Sequence, residues 1–195
     1  MFQVGAPSRA LFIASRFAAQ SCVMRASNVE MVPATTRSFP FVPKSSARLV
    51  AGDYWGVPLQ DGRWACGRVL QLMPRGYAGG RVGFLGGLLD WSSSNVPTGN
   101  AIAGCPVLEQ GVMHVMAIQT TGGKLLGNRP LEDDGLEPLL VCHDGMISKG
   151  FTPVRKWQVA DGQTIAGLSW WGYDVIQIRA NVLLGKQREG AGEPE

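Results

Sequence analysis

The pair Asp61-Gly62 restricts this chain more than any other feature. The tetrapeptide Gln60-Asp61-Gly62-Arg63 separates two apolar runs, Tyr54 to Leu59 and Trp64 to Leu72. Asp-Gly readily adopts the backbone that a tight antiparallel turn requires, so residues 54–72 read as a β-hairpin. Side chains alternate across a strand, so Trp64, Cys66 and Arg68 share one face and Ala65, Gly67 and Val69 the other. Either Trp55, Trp64, Arg63 and Arg68 pack as a core with an arginine reaching out at the sheet edge, or they expose a surface on which a ligand stacks.

The rest of the chain extends the β reading. Twenty-six Gly and twelve Pro among 195 residues enforce many turns and short elements. Arg81 to Leu85 continues the hairpin after the glycine turn at 76–80, and Gly86 to Trp91 fits either a strand or the start of a short helix. Val112 to Ile118 is apolar enough for a buried strand, and Leu139 to Cys142 is a second, ending at the turn His143-Asp144-Gly145. Tyr173 to Arg179 alternates like a strand. The fold class expected is mainly β (α+β possible), antiparallel, a strongly curved sheet or half-open barrel with one or two short helices.

Three regions are expected. Residues 1–48 are an N-terminal extension or follow a misassigned start, and are expected to be disordered; Arg-rich and acid-poor, they share features of a targeting peptide. Met24 and Met31 are later possible starts, and Pro33, Pro40 and Pro43 read as a linker. Residues 49–185 form a single β-rich domain, and 186–195 a polar, disordered tail. No stretch has the length of a membrane-spanning helix.

Charge follows the same division. Residues 1–50 carry six Lys/Arg and one Glu; residues 51–195 carry twelve Lys/Arg and fourteen Asp/Glu. The overall +3 therefore belongs to the leading segment and does not mark the domain as a nucleic-acid binder.

Catalytic and cofactor motifs are not assembled. Gly83 to Gly87 lacks the dinucleotide spacing, Gly122-Gly123-Lys124 lacks the rest of a phosphate loop, and Gly167 to Trp171 lacks the closing glycine of a nucleophile elbow. Cys142-His143-Asp144 puts three catalytic residue types side by side, but neighbours on a strand point to opposite faces. Four scattered Cys and two His give no zinc spacing. No catalytic residue, metal ligand or cofactor is assigned. An enzyme using Cys105 or Cys142 would need a low-pKa thiol. The acidic group Glu132-Asp133-Asp134, with Glu137, reads either as a solvated turn or as a negative patch that steers a basic partner.

Two landmarks in order carry a resemblance. "GDYWGVPLQDGRWACGRVL" places Asp53, Pro58, Leu59, Gly62, Trp64, Gly67, Arg68 and Val69 as they stand in the immunity protein 26 family of bacterial polymorphic-toxin systems. "GGKLLGNRPLEDDGLEPLLV" resembles that family's second landmark at Leu126, Gly127, Pro130, Leu131 and Pro138. The resemblance spans about residues 50–145, and the Gly- and Ser-rich stretch 76–104 departs from it. It implies a cytoplasmic bacterial protein, not an enzyme, that neutralises a cognate toxin, such as a basic nuclease, by surface complementarity. On this reading Asp53, Arg63 and Arg68 are framework or rim residues, and Glu132, Asp133, Asp134 and Glu137 meet the partner. The other reading is a small β-barrel module that binds nucleic acid or a peptide through Trp55, Trp64 and Arg68.

Overall fold

The computed structural model describes residues 37–185. The expectations for residues 1–36 and 186–195 lie outside the described residues. The chain runs β1 (Asp53–Pro58), β2 (Trp64–Leu72), β3 (Gly83–Ser93), β4 (Val107–His114), α1 (Met116–Thr121), β5 (Gly127–Asn128), β6 (Leu140–His143), β7 (Met146–Lys149), β8 (Thr152–Lys156), β9 (Trp170–Trp171) and α2 (Val175–Leu184). Two sheets result, one of six strands in the order β5-β1-β2-β3-β4-β9 and one of three in the order β6-β7-β8. All pairs are antiparallel except β4 with β9.

The opening hairpin forms as its sequence requires. Tyr54 pairs with Arg68 and Pro58 with Trp64. Gly62 sits at φ +82°, where a side chain would be strained, and Asp61 accepts a hydrogen bond from the Arg63 amide at 3.0 Å. Gly86 to Trp91 resolves as strand within β3. The six strands do not close into a barrel, because the short β5 and β9 occupy opposite ends of the order.

Both faces of the large sheet are buried. Trp55, Val57, Ala65, Val69, Phe84, Leu88 and Met113 pack beneath α1, α2, Leu49 and Leu125. On the opposite face Leu70, Leu85 and Val112 meet Phe151, at the turn between β7 and β8, while Tyr54, Cys66 and Leu89 meet Ile102. A central strand covered on both faces reads as a nearly continuous apolar run, which is how β2 looks in the sequence. Gly67 is required by that packing, since a Cβ there would run into the Trp55 indole.

The mainly β, antiparallel expectation holds, and three others are corrected. Val112 to Ile118 is not one strand: β4 stops at His114, whose Nδ1 accepts from the Met116 amide at 3.0 Å, and α1 begins there. Tyr173 to Arg179 is not a strand but enters α2, which buries Ile176, Ala180 and Leu184 at helical spacing. Finally, residues 37–48 belong with the domain: Phe41 bridges to Leu125, and Ser46 hydrogen-bonds the carbonyls of Arg81 and Gly80. Among the described residues no helix is long and apolar enough to cross a membrane.

Candidate partner-binding surface

The two segments that carry the resemblance meet in space. Leu126 donates its amide to the Tyr54 carbonyl at 2.9 Å, and β5 pairs with the start of β1, Asp53 opposite Asn128 and Tyr54 opposite Gly127. Gly127 is needed at this approach, because a Cβ would strike the Tyr54 phenol.

Asp53 and Arg68 anchor that junction from inside. Asp53 is fully buried and accepts from Arg37 Nη1 at 2.6 Å, the Val50 amide at 2.9 Å and Asn128 Nδ2 at 2.8 Å. Arg68 is also fully buried. Its Nη1 donates to Asp134 Oδ2 at 2.7 Å, and its Nη2 to the carbonyls of Arg129 at 2.6 Å and Pro130 at 3.0 Å. Its Nε has no partner. A buried guanidinium needs a counterion and acceptors around it, and the 129–134 segment supplies both.

Asp134 closes the network. It ends the 3-10 turn Glu132–Asp134, and the left-handed Gly135 that follows, at φ +60°, reverses the chain. Its carboxylate accepts from Arg129 Nε at 2.9 Å and from the Gly104 amide at 2.9 Å, besides Arg68. Hydrogen bonding from Arg129, then from Gly104 and Arg68, holds this carboxyl well below the usual carboxylate range.

The structure therefore sorts the seven residues singled out in the sequence. Arg68 is not at a rim: β2 is paired on both sides, and loop residues cover the side chain. Asp53 is framework rather than rim, and Asp134 is likewise interior, which corrects its assignment to a partner-facing surface. Arg63 is a staple between layers, donating to Asp61, to Ser92 Oγ at 2.8 Å and to the Leu184 carbonyl, at the end of α2, at 2.8 Å. Glu137 pairs with Lys149. Glu132 and Asp133 face solvent.

What remains outside is a small acidic edge on a rigid base. Glu132 and Asp133 stand on the turn that Asp134 pins from beneath. Farther along the loop, Leu139 and Leu140 are exposed by 42% and 47%. The Gln110 amide fixes Leu139 by accepting from its N–H at 2.8 Å and donating to its carbonyl at 2.9 Å. Sequence reasoning missed Arg129, Gly104 and Gln110; no spacing rule links them to Asp134 or Leu139.

With Arg37, Lys44 and Arg48 counted in the domain and residues 186–195 left out, the charge balance differs from that of residues 51–195. Residues 37–185 hold thirteen Lys/Arg and eleven Asp/Glu, a net of +2. The acidic character is local to the 132–133 turn and not a property of the domain.

Two other constellations lose their geometry. Trp55 and Arg68 are wholly buried, so they form no stacking surface with Trp64. His143 Nε2 lies 3.2 Å from Asp144 Oδ2 on an exposed turn, beside Cys142 in β6. Burial pushes the Cys66 thiol up strongly; burial, with Asp90 and Asp134 nearby, also raises that of Cys105, the reverse of nucleophile activation. Among the described residues no group of three His, Cys, Asp or Glu is placed to hold a metal ion. No family model matches the chain, and neither does any curated protein or solved structure.

Proposed function

We propose that this chain is an immunity-type binding protein of the bacterial cytoplasm, which neutralises a cognate toxin by covering a basic surface on it and performs no chemistry itself. The supporting observation is the union of the two landmark segments. Asp53, Arg68 and Asp134 lock them into one ion-paired unit, and that unit presents Glu132 and Asp133 in a fixed position. A surface held rigid before binding loses less conformational freedom on association. Two exposed carboxylates, with the exposed Leu139 and Leu140 farther along the same chain segment, suit a partner with a basic, partly apolar face. The residues of the resemblance act on this account as scaffold, and the acids beside them make the contact.

Co-expression with toxic effectors cloned from the neighbouring genes tests the reading. The wild-type chain restores growth of cells producing one of them. The Glu132→Lys/Asp133→Lys variant, folded and equally abundant, does not. Rescue undiminished by the charge reversal, or no rescue by the wild type, counts against the proposal.

A further inference from the structure

The domain has a second charged surface, opposite in sign to the acidic turn. No Asp or Glu occurs in residues 37–52, 62–89 or 110–131. The fold brings parts of all three together. Ser46 donates its amide to the Arg81 carbonyl at 3.0 Å, Val115 donates to the Val82 carbonyl at 2.9 Å, and Gln119 Nε2 donates to the Pro43 carbonyl at 2.6 Å. Phe41 and Leu125 exchange both backbone hydrogen bonds. This hydrogen-bonded end of the large sheet carries Lys44, Arg48, Arg75, Arg81 and Lys124, all exposed. Among the described residues none of the five pairs with a carboxylate; Arg48 instead lies over the Phe41 ring at 4.6 Å. Asp53, at the start of β1, is buried and already bonded by Arg37 and Asn128.

We infer that this end docks on an anionic phospholipid bilayer surface. Exposed aliphatic side chains stand among the cations: Val42 and Val50 flank Lys44 and Arg48, and Met116 opens α1 beside them. Cations with interspersed aliphatics suit the headgroup region, where the charges meet phosphates and the aliphatic groups leave water. Nucleic acid is the less fitting anion. A strand-binding surface stacks bases on free aromatic rings, whereas Phe41 here lies beneath Arg48, Tyr77 between Arg75 and Arg81 leans on the Phe151 ring at 6.1 Å, and the exposed Trp157 and Trp170 belong to other parts of the fold. The proposal uses no residue of the acidic turn, so its test is separate from that of the toxin-binding reading.

Vesicle co-sedimentation with the full chain tests the inference. The chain should pellet with phosphatidylcholine vesicles containing phosphatidylglycerol, stay in solution with pure phosphatidylcholine, and be released as salt shortens the screening length. Each basic side chain near such a surface contributes a factor of about five in partitioning. Lys44→Glu/Arg81→Glu should therefore weaken binding by ~25-fold or more, and Lys124→Glu alone by about fivefold or more. Lys156→Glu, on the exposed strand β8, should change nothing. Equal binding to neutral vesicles, full binding by the double variant, or no vesicle binding together with salt-sensitive binding of an oligonucleotide would each overturn it.

Discussion

Replacing Asp134 with alanine takes away the carboxylate that faces a fully buried guanidinium. Arg68 would keep two backbone carbonyls but lose its counterion, and Arg129 and the Gly104 amide would lose an acceptor as well. Breaking a buried pair from one side costs about 3–5 kcal/mol, because the surviving charge stays desolvated. Asp134→Ala belongs near the top of that range. Arg68→Met belongs near the bottom, at about 3 kcal/mol, since Asp134 would still be bonded by Arg129 and Gly104. Against a stability of about 5–15 kcal/mol for a domain, either loss shows plainly in urea unfolding followed by tryptophan fluorescence. The double variant Arg68→Met/Asp134→Ala removes both charges. It should cost about 2 kcal/mol less than the two single effects together, which a double-mutant cycle measures directly. Single effects below about 1 kcal/mol, or strict additivity, would refute the claim that this pair fastens the two segments.

Other outcomes follow from the same geometry. Asp134 is held below its unfolded value, so its contribution is complete above the ordinary carboxylate pKa and is lost as pH falls through the folded one; Asp161, lowered to about 2 chiefly by Arg155, acts in the same direction. Urea unfolding repeated at decreasing pH should therefore show wild-type stability falling in acid, and Asp134→Asn should flatten that slope by up to about 1.4 kcal/mol per pH unit at about pH 3. Gly67→Ala should lower stability by about 1–3 kcal/mol through collision with Trp55, read as a reduced urea midpoint. Glu132→Lys/Asp133→Lys should leave thermal stability within about 0.5 kcal/mol of wild type, because neither side chain is packed. Peptide mapping after native-state alkylation should find Cys66 unlabelled until the protein is unfolded, as its sulfur is buried and its thiol held protonated.

How much of this could be read from residues alone depends on the range of the interaction. The hairpin at Asp61-Gly62 was legible because a two-residue turn and an alternating strand are local properties, and the face shared by Cys66 and Arg68 followed from that alternation. The fate of Arg68 was not legible. Whether an arginine on a strand reaches solvent depends on what lies over it, and the cover comes from residues 129–134, more than sixty positions away. The helix α2 misled for a different reason. Val175-Ile176-Gln177-Ile178-Arg179 alternates, yet Ile178 and Val182 remain exposed, so the apolar pattern does not mark one helical face. Residues 37–48 looked like a linker because of their prolines; their attachment runs through Arg37 to Asp53 and Phe41 to Leu125. In the acidic run the sequence shows three equal carboxylates, and only packing separates the buried Asp134 from Glu132 and Asp133.

The central claim is that a buried ion-paired base presents Glu132 and Asp133 to a basic partner. Calorimetric titration of the purified chain with a toxic effector domain cloned from the neighbouring genes tests this most directly. The account predicts saturable one-to-one binding. Glu132→Lys/Asp133→Lys should weaken it at least tenfold at unchanged melting temperature, while Lys156→Glu should have no effect. Affinity unaltered by the acidic-turn reversal, or lost only in variants that also unfold, would contradict it.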